Sequence, residues 1–189
     1  MPIFVFLKAN TFNISLDFNR PSLFFSAGTG LSPFLSYLKE RKIQTNDMTN
    51  VLLFHGARNQ DLILEKEALI KYFIKNNECS HEEGLFIALS RQKTDVSIDK
   101  TLQNHNLTFG HISDAMKNNC KSILNLILTS IDNPHSKENE PYLSIYICGA
   151  KAFENNVKLI LQNLTESSSN FKDNFYQNSL LNCIQVDQW

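Results

Sequence analysis

The sequence has little net charge, few cysteines and no long apolar run, and each shortage excludes a class of protein. The 18 Lys and Arg residues against 19 Asp and Glu residues leave a net charge of −1, which gives no electrostatic basis for binding nucleic acid or an anionic membrane. The four cysteines include no C-x-x-C pair, so reduced thiols are favoured over a disulfide framework or a zinc site. No apolar run approaches the roughly 18 residues of a membrane span, and the N terminus lacks the layout of a signal peptide. These shortages predict a cytoplasmic protein, in the cytosol or on the cytosolic face of a membrane, that binds no metal or nucleic acid and makes no membrane contact through this segment.

Five short apolar runs divide a chain that, at 189 residues and 42% hydrophobic content, is long enough for one domain with a substantial core. The runs lie at residues 22–27, 51–57, 85–90, 142–149 and 182–189. The first four are almost continuously apolar, which is typical of strands buried on both faces of a parallel sheet. Helix-like apolar stripes that begin at Leu31, Leu62, Ile112 and Val157 alternate with the runs. The sequence therefore predicts an α/β domain with a five-stranded parallel sheet.

Two regions do not fit a minimal α/β unit. The first twenty residues read as one or two β segments before the alternation begins. They predict a domain boundary, with residues 1–20 as the tail of another domain and residues 21–189 as the α/β domain. The span from 91 to 141 is long for a single crossover between strands.

Residues 26–41, SAGTGLSPFLSYLKER, predict a glycine-rich turn between the first strand and the first helix. Gly28 and Gly30 allow backbone torsions and a close approach that side chains would prevent. Thr29 adds a hydroxyl between them, and the N terminus of the helix offers unpaired amides to a phosphate. Pro33 falls in the first helical turn, where a missing N–H costs little, although it replaces the third glycine of the common dinucleotide-binding fingerprint. This stretch alone leaves two interpretations open, a phosphate-binding turn and a tight turn without a ligand.

Further motifs follow this turn in a recognisable order. They are FHGARNQD at the end of the second run and just beyond it, ALSR at the end of the third, YICG at the end of the fourth, and a final acidic residue and tryptophan. Together with G-T-G-x-x-P-F, they resemble the C-terminal NADP-binding module of diflavin reductases, such as the NADPH–cytochrome reductases, within the ferredoxin–NADP reductase superfamily. The likeness extends from residue 2 to residue 189. It implies a three-layer, Rossmann-like domain preceded by a short β remnant of an FAD-binding barrel.

The resemblance implies a site for the phosphates of NADP. Gly28, Thr29 and Gly30 would hold the pyrophosphate, and Ser32 and Pro33 would open the helix beside it. At the ends of the next two strands, Arg58 would lie near the nucleotide phosphates, and Ser90 and Arg91 would bind the 2′-phosphate. Guanidinium groups bind phosphate through paired hydrogen bonds, and a hydroxyl adds a donor. Arg58 could equally be a solvated loop arginine.

The resemblance also implies a site for the nicotinamide. Cys148, followed by Gly149, would face the ring, and Asp187 and Trp189 match the terminal acidic and aromatic positions of the family. Cys148, Asp187 and Trp189 are therefore the expected catalytic residues, with Trp189 stacking on the flavin until the nicotinamide displaces it. A cysteine that ends an apolar strand is also a common buried core residue.

The sequence departs from the family at several positions. The lysine and tyrosine that usually complete the 2′-phosphate pocket fall around Val96 and Ile98, and Lys93 or Lys100 could replace the missing charge. Ala57 stands where the family has a cysteine in the turn after the second strand, and Ala150 stands where it has an acidic residue after Cys-Gly. Asn156 stands where another aspartate is expected. NADP is still the expected nucleotide.

The implied reaction is hydride transfer from NADPH to FAD, followed by electron transfer to FMN and to a haem or iron–sulfur protein. The FAD and FMN domains of the same polypeptide would be the partners, because the flavin-binding motifs of the family are missing from this chain. The chain is therefore expected to be a fragment that is inactive without the FAD domain. Two alternatives are a stand-alone, non-catalytic nucleotide-binding regulator and an α/β domain without a ligand.

Overall fold

A computed structural model describes residues 13–73, 84–93, 96–103, 105–136, 141–167 and 180–187. Within these ranges, strands β1 to β6 are Ser22–Ala27, Val51–Ala57, Leu85–Leu89, Asn106–Phe109, Ser144–Cys148 and Ile184–Asp187. Helices α1 to α6 are Ser32–Thr45, Lys66–Tyr72, Lys100–Gln103, Ile112–Asn118, Cys120–Ile131 and Lys151–Ser167. All five apolar runs contain strands, and every strand pair is parallel. The α/β prediction with a parallel sheet is confirmed.

The strand count was wrong, because the sheet has six strands in the order β4-β3-β2-β1-β5-β6. The additional strand, β4, has the sequence NLTF and pairs with β3 at one edge of the sheet that the described residues form. Its side chains are exposed or half-buried, so it lacks the continuous apolar run of a strand that is buried on both faces. The strand also explains the length of the span from 91 to 141, which contains α3, β4, α4 and α5.

Helices cover both faces of the sheet and bury two separate hydrophobic cores. Side chains of α1 and α2, such as Leu38 and Leu69, pack on one face, and those of α4, α5 and α6, such as Met116, Ile127 and Leu161, pack on the other. The apolar stripe that begins at Ile112 forms two helices rather than one, because the backbone leaves the helical region at Asn119. The result is a three-layer domain with its sheet in the middle.

The strand order places a topological switch point between β1 and β5. From β1 the chain moves outward through β2, β3 and β4, and then returns to the other side of β1 to form β5 and β6. The connections that follow β1 and β5 therefore lead away from each other. In open α/β sheets, ligands bind outside the carboxyl ends of the strands at such a point.

Residues 13–20, which precede β1, pack against the domain. The backbone N–H of Ser15 donates to the hydroxyl of Tyr146 on β5 at 2.7 Å. Ile14 and Phe18 are partly buried against the α1 face of the sheet, and the ring of Phe18 lies 5.5 Å from that of Tyr37. Residues 1–12 of the predicted FAD-domain tail lie outside the described residues, so the domain boundary stays a prediction.

Candidate functional site

The glycine-rich turn lies at the switch point. It is a short 3-10 helix, Gly28–Leu31, that leaves β1 and leads directly into α1. Gly28 has a φ of +54°, which favours glycine, and no atom lies within 4 Å of the position where its Cβ would be. Thr29 is exposed, and no hydrogen bond from its hydroxyl is found in the described part of the chain. The space above this turn is open.

The N terminus of α1 is suited to an anion. No side chain caps it and no acidic residue occupies its first turn, so its dipole and first amides meet no competing carboxylate. Pro33 lies in that first turn, as predicted, and the Ser32 hydroxyl donates to the carbonyl of Thr29 at 3.0 Å. These features agree with the sequence prediction for the turn, and the binding of a phosphate there stays a prediction.

Gly30 differs from Gly28 because it is buried against β5. A methyl group on its α carbon would overlap the carbonyl oxygen of Cys148 and lie 3.3 Å from its sulfur. Packing alone therefore requires glycine at this position. The contact fastens the turn after β1 to the end of β5, across the switch point.

Three cationic side chains lie at the ends of the next two strands. Arg58 follows β2, and Arg91 and Lys93 follow β3; all three are exposed. The backbone N–H of Arg91 donates to the carbonyl of Arg58 at 2.7 Å, which sets the two arginines side by side. None of the three takes part in an ion pair between described residues. We call Arg58, Arg91 and Lys93 the cationic edge.

The positions of the two missing family residues differ in their surroundings. Val96 is 42% exposed, whereas Ile98 is half-buried and packs on the hydrophobic core. Lys100, at the start of α3, is exposed. Ser90, which precedes Arg91, is half-buried and its N–H donates to the carbonyl of Ala57 at 3.0 Å. Neither Val96 nor Ile98 therefore supplies an aromatic ring beside the cationic edge.

The structure brings together most of the residues predicted for the nicotinamide end. Cys148, at the end of β5, is in register with Asp187 on β6, and the Gly149 N–H donates to the carbonyl of Asp187 at 3.2 Å. Cys148 is only 2% exposed because the Gly30 turn covers it. Asn156 is an exposed residue of α6, and Trp189 lies outside the described residues. The catalytic roles of these residues stay predictions.

A buried histidine, which the sequence analysis did not single out, lies beneath the turn. His55 on β2 is fully buried, and its Nδ1 lies 2.8 Å from the hydroxyl of Ser26 on β1. Its Nε2 has no hydrogen-bond partner in the described structure. Burial lowers the pKa of His55 to about 4, so the ring is neutral near pH 7. Ser26 is also in register with Cys148, and the three side chains therefore form a row across β2, β1 and β5.

Glu154 is a second buried group that the sequence analysis missed. It lies in the first turn of α6, and its carboxylate receives hydrogen bonds from Lys151 at 2.8 Å and Lys158 at 2.7 Å. Burial acts to raise the pKa of Glu154, but the two lysines outweigh it and the pKa lies below its usual value. The pairing indicates a structural acid in the helix. The described residues contain no cluster of His, Cys, Asp or Glu that could hold a metal ion.

Comparison with known proteins identifies similar sequences and folds. The family model described as the oxidoreductase NAD-binding domain matches residues 24–159. The chain is 27% identical over 189 residues to the NADP⁺-dependent pyruvate dehydrogenase of Cryptosporidium parvum, covering 95% of this chain and 9% of that protein. It is 28% identical over 156 residues to the nitric oxide synthase of Drosophila melanogaster, covering 78% of this chain and 9% of the synthase. It therefore spans only a small part of these relatives.

Solved structures share the fold. Ferredoxin–NADP⁺ reductase from Plasmodium falciparum matches with a TM-score of 0.59 at 22% identity, over 95% of this chain and 58% of that one. The same enzyme solved with 2′P-AMP matches with a TM-score of 0.57 at 20% identity, over 95% and 57% of the two chains. Across the described ranges, no helix has the length and apolar character needed to cross a membrane.

Proposed function

The chain belongs to the oxidoreductase NAD-binding domain family, and on this premise we propose that it is the NADPH-binding module of a diflavin-type flavoprotein reductase. The observation that carries the proposal is the position of the cationic edge. Arg58 and Arg91 lie side by side, without ion-pair partners among the described residues, on the same carboxyl edge of the sheet as the glycine-rich turn. A dinucleotide with a third phosphate needs anion-binding groups at both places.

The residues present fit the phosphates of NADP. The open turn at Gly28 and Thr29, with the uncapped start of α1, would receive the pyrophosphate. Ser90, Arg91 and Lys93 would receive the 2′-phosphate, since they combine a hydroxyl with two cations on one loop. The related fold of the Plasmodium falciparum enzyme has been solved with 2′P-AMP, which carries a phosphate at that position.

The carboxyl ends of β5 and β6 would hold the nicotinamide. When bound, NADPH supplies the hydride and a flavin accepts it, so this chain contributes position and electrostatics. In the proposal, Cys148 and Gly149 would face the nicotinamide, Asp187 would offset the positive charge that develops on it, and Trp189 would stack on the flavin. FAD and FMN would be held mainly by other domains of the polypeptide, and the electrons would pass to a haem or iron–sulfur protein. We place the reductase in the cytosol or on the cytosolic face of a membrane, and we expect this chain alone to be inactive.

Calorimetric titration with 2′,5′-ADP and 5′-AMP tests the proposal, because the two ligands differ only in the 2′-phosphate. The chain should bind 2′,5′-ADP more tightly, and it should show no stoichiometric flavin absorbance after purification. Arg58→Ala should weaken both ligands, since the family resemblance assigns Arg58 to the nucleotide phosphates and both ligands carry the 5′-phosphate. Lys39→Ala, which removes an exposed cation from α1, is the matched control and should change neither affinity.

The titration can also contradict the proposal. An absence of heat at millimolar ligand would show that the chain binds neither nucleotide and would contradict the proposed function. Stoichiometric flavin in the purified chain would show that the flavin site was wrongly placed in another domain. Equal affinity for the two ligands would overturn the choice of NADPH over NADH and leave a dinucleotide-binding module.

A further inference from the structure

The loop after β3 is held by one buried glutamine from the neighbouring loop. We define the β3 loop as its two described parts, residues 90–93 and 96–99. Gln60 begins the 3-10 turn after β2 and is only 8% exposed. It lies more than 30 residues away in sequence from each residue of the β3 loop to which it bonds.

The backbone N–H of Gln60 and both polar atoms of its side chain bond to the β3 loop. Its backbone N–H donates to the side-chain oxygen of Gln92 at 3.0 Å. Its side-chain amide donates to the carbonyl of Ser97 at 3.1 Å and accepts from the N–H of Asp99 at 2.9 Å. The backbone N–H of Gln60 therefore holds the first part of the loop, and its side chain holds the second part. Replacing the side chain would remove the partners of the Ser97 carbonyl and the Asp99 N–H.

Other described contacts hold the two ends of the loop and also join Val96 to Lys93 and Ile98 to Gln103, but they leave Gln92 and Ser97 to Gln60. At the start, the Arg91 N–H bonds to the Arg58 carbonyl, as described above. At the end, Lys66 forms an ion pair with Asp99 at 2.8 Å. The hydrogen bond from Lys66, followed by those from Thr101, lowers the pKa of Asp99. Neither contact reaches Gln92 or Ser97. The hydrogen bonds of Gln60 do.

Resting on the proposed function, we propose that Gln60 is a positioning residue that sets the preference of the module for a 2′-phosphate. The β3 loop carries Ser90, Arg91 and Lys93, whose chemistry suits that phosphate. A loop that is already ordered pays less conformational entropy when it binds. By holding the loop, Gln60 keeps these donors in place without touching the ligand. The rest of the adenosine and the 5′-phosphate would not depend on it.

The test is the ratio of the affinities of the 189-residue chain for 2′,5′-ADP and 5′-AMP. Gln60→Ala should reduce this ratio about tenfold, almost entirely through weaker 2′,5′-ADP binding. Gln92→Ala removes only the acceptor of the Gln60 N–H and should reduce the ratio by a smaller factor, which keeps the proposal testable if Gln60→Ala does not fold. Gln44→Ala is the matched control, because Gln44 makes one side-chain hydrogen bond on the exposed surface of α1, and its ratio should equal that of the wild type.

Backbone amide exchange gives a second readout that needs no ligand. The Asp99 N–H loses its acceptor in Gln60→Ala, so its exchange should accelerate by about tenfold relative to wild type. An unchanged rate would overturn the positioning role. Equal losses of affinity for both ligands would also overturn it, because they would show a general effect on the fold. A wild-type chain without any preference for 2′,5′-ADP would overturn both the NADP assignment and the role of Gln60 in selectivity, whereas a selective wild type with an unaltered Gln60→Ala ratio would overturn only the latter.

Discussion

The α carbon of Gly30 packs directly against the carbonyl group of Cys148. The turn after β1 and the end of β5 are thereby joined at the switch point of the sheet. Gly30 is two residues from Gly28, yet Gly28 faces open space. Glycine therefore occupies these two positions for different physical reasons, and substitutions at each position distinguish the two reasons.

Gly30→Ala should lower the free energy of unfolding by about 2 kcal/mol or more, because the added methyl overlaps backbone that cannot move aside easily. Nucleotide binding should weaken for 2′,5′-ADP and 5′-AMP alike. Gly28→Ala, the matched control, costs only the left-handed backbone torsion, roughly 1–2 kcal/mol, and leaves the packing intact. Chemical denaturation and calorimetry measure both effects. Equal stability of Gly30→Ala and wild type would contradict the packing role.

Arg91→Ala should weaken 2′,5′-ADP by about 1.5–3 kcal/mol, the size of one charge-assisted hydrogen bond. Binding of 5′-AMP should hardly change, since that ligand has no 2′-phosphate. Calorimetry at two salt concentrations measures the loss, which should be larger at low salt. Similar losses for both ligands would place Arg91 at the pyrophosphate or in the fold instead.

Val96→Lys should strengthen 2′,5′-ADP binding about threefold, because it adds an exposed cation to the β3 loop where the family has its lysine and tyrosine. Ile43→Lys adds the same charge at another exposed aliphatic residue, near the end of α1. That control should leave the ratio of 2′,5′-ADP to 5′-AMP affinities unchanged. If both variants strengthened binding equally, the gain would come from net charge alone.

His55 should make the fold sensitive to acid. Burial lowers its pKa to about 4 in the folded state from the ordinary histidine value of 6.5, so the unfolded chain takes up a proton first as the pH falls. Stability is therefore fully present above about pH 6.5 and is lost toward about pH 4, by as much as ~1.4 kcal/mol per pH unit. His55→Phe should remove this slope, as measured by denaturation at several pH values.

Ser26→Ala is the control for that experiment. It removes the hydrogen bond to His55 but keeps the buried imidazole, so the slope between pH 6.5 and pH 4 should persist. Other acidic groups titrate in all three proteins, and comparison with wild type cancels their contribution. A slope that is unchanged in His55→Phe would show that His55 is not the group responsible.

The sequence predicted the features that depend on local pattern. Phe24 and Leu53 belong to apolar runs because their strands are buried on both faces, and such runs are legible without a structure. The turn at Gly28 and the proline after it were equally legible. The ferredoxin–NADP reductase resemblance is confirmed by the family model and the shared fold.

Features that depend on distant contacts could not be predicted. Gln60 is one polar residue in a polar turn, and its importance comes from bonds to residues 32 to 39 positions away. His55 looked like part of the motif before Arg58, and only the neighbouring strand shows that it is buried with Ser26. The edge strand β4 has too few apolar residues to be distinguished from a loop.

The hydrogen bond between Ser15 and Tyr146 gives the domain a second point, besides the backbone, at which a pulling force on the preceding residues is transmitted to the sheet. A pull on the chain before Asn13 reaches β5 through the Tyr146 hydroxyl before it reaches β1 through the backbone at Pro21. Tyr146 and Cys148 lie on the same face of β5, two residues apart. Tension on the chain before Asn13 would therefore load β5 through this hydrogen bond as well as β1 through the backbone.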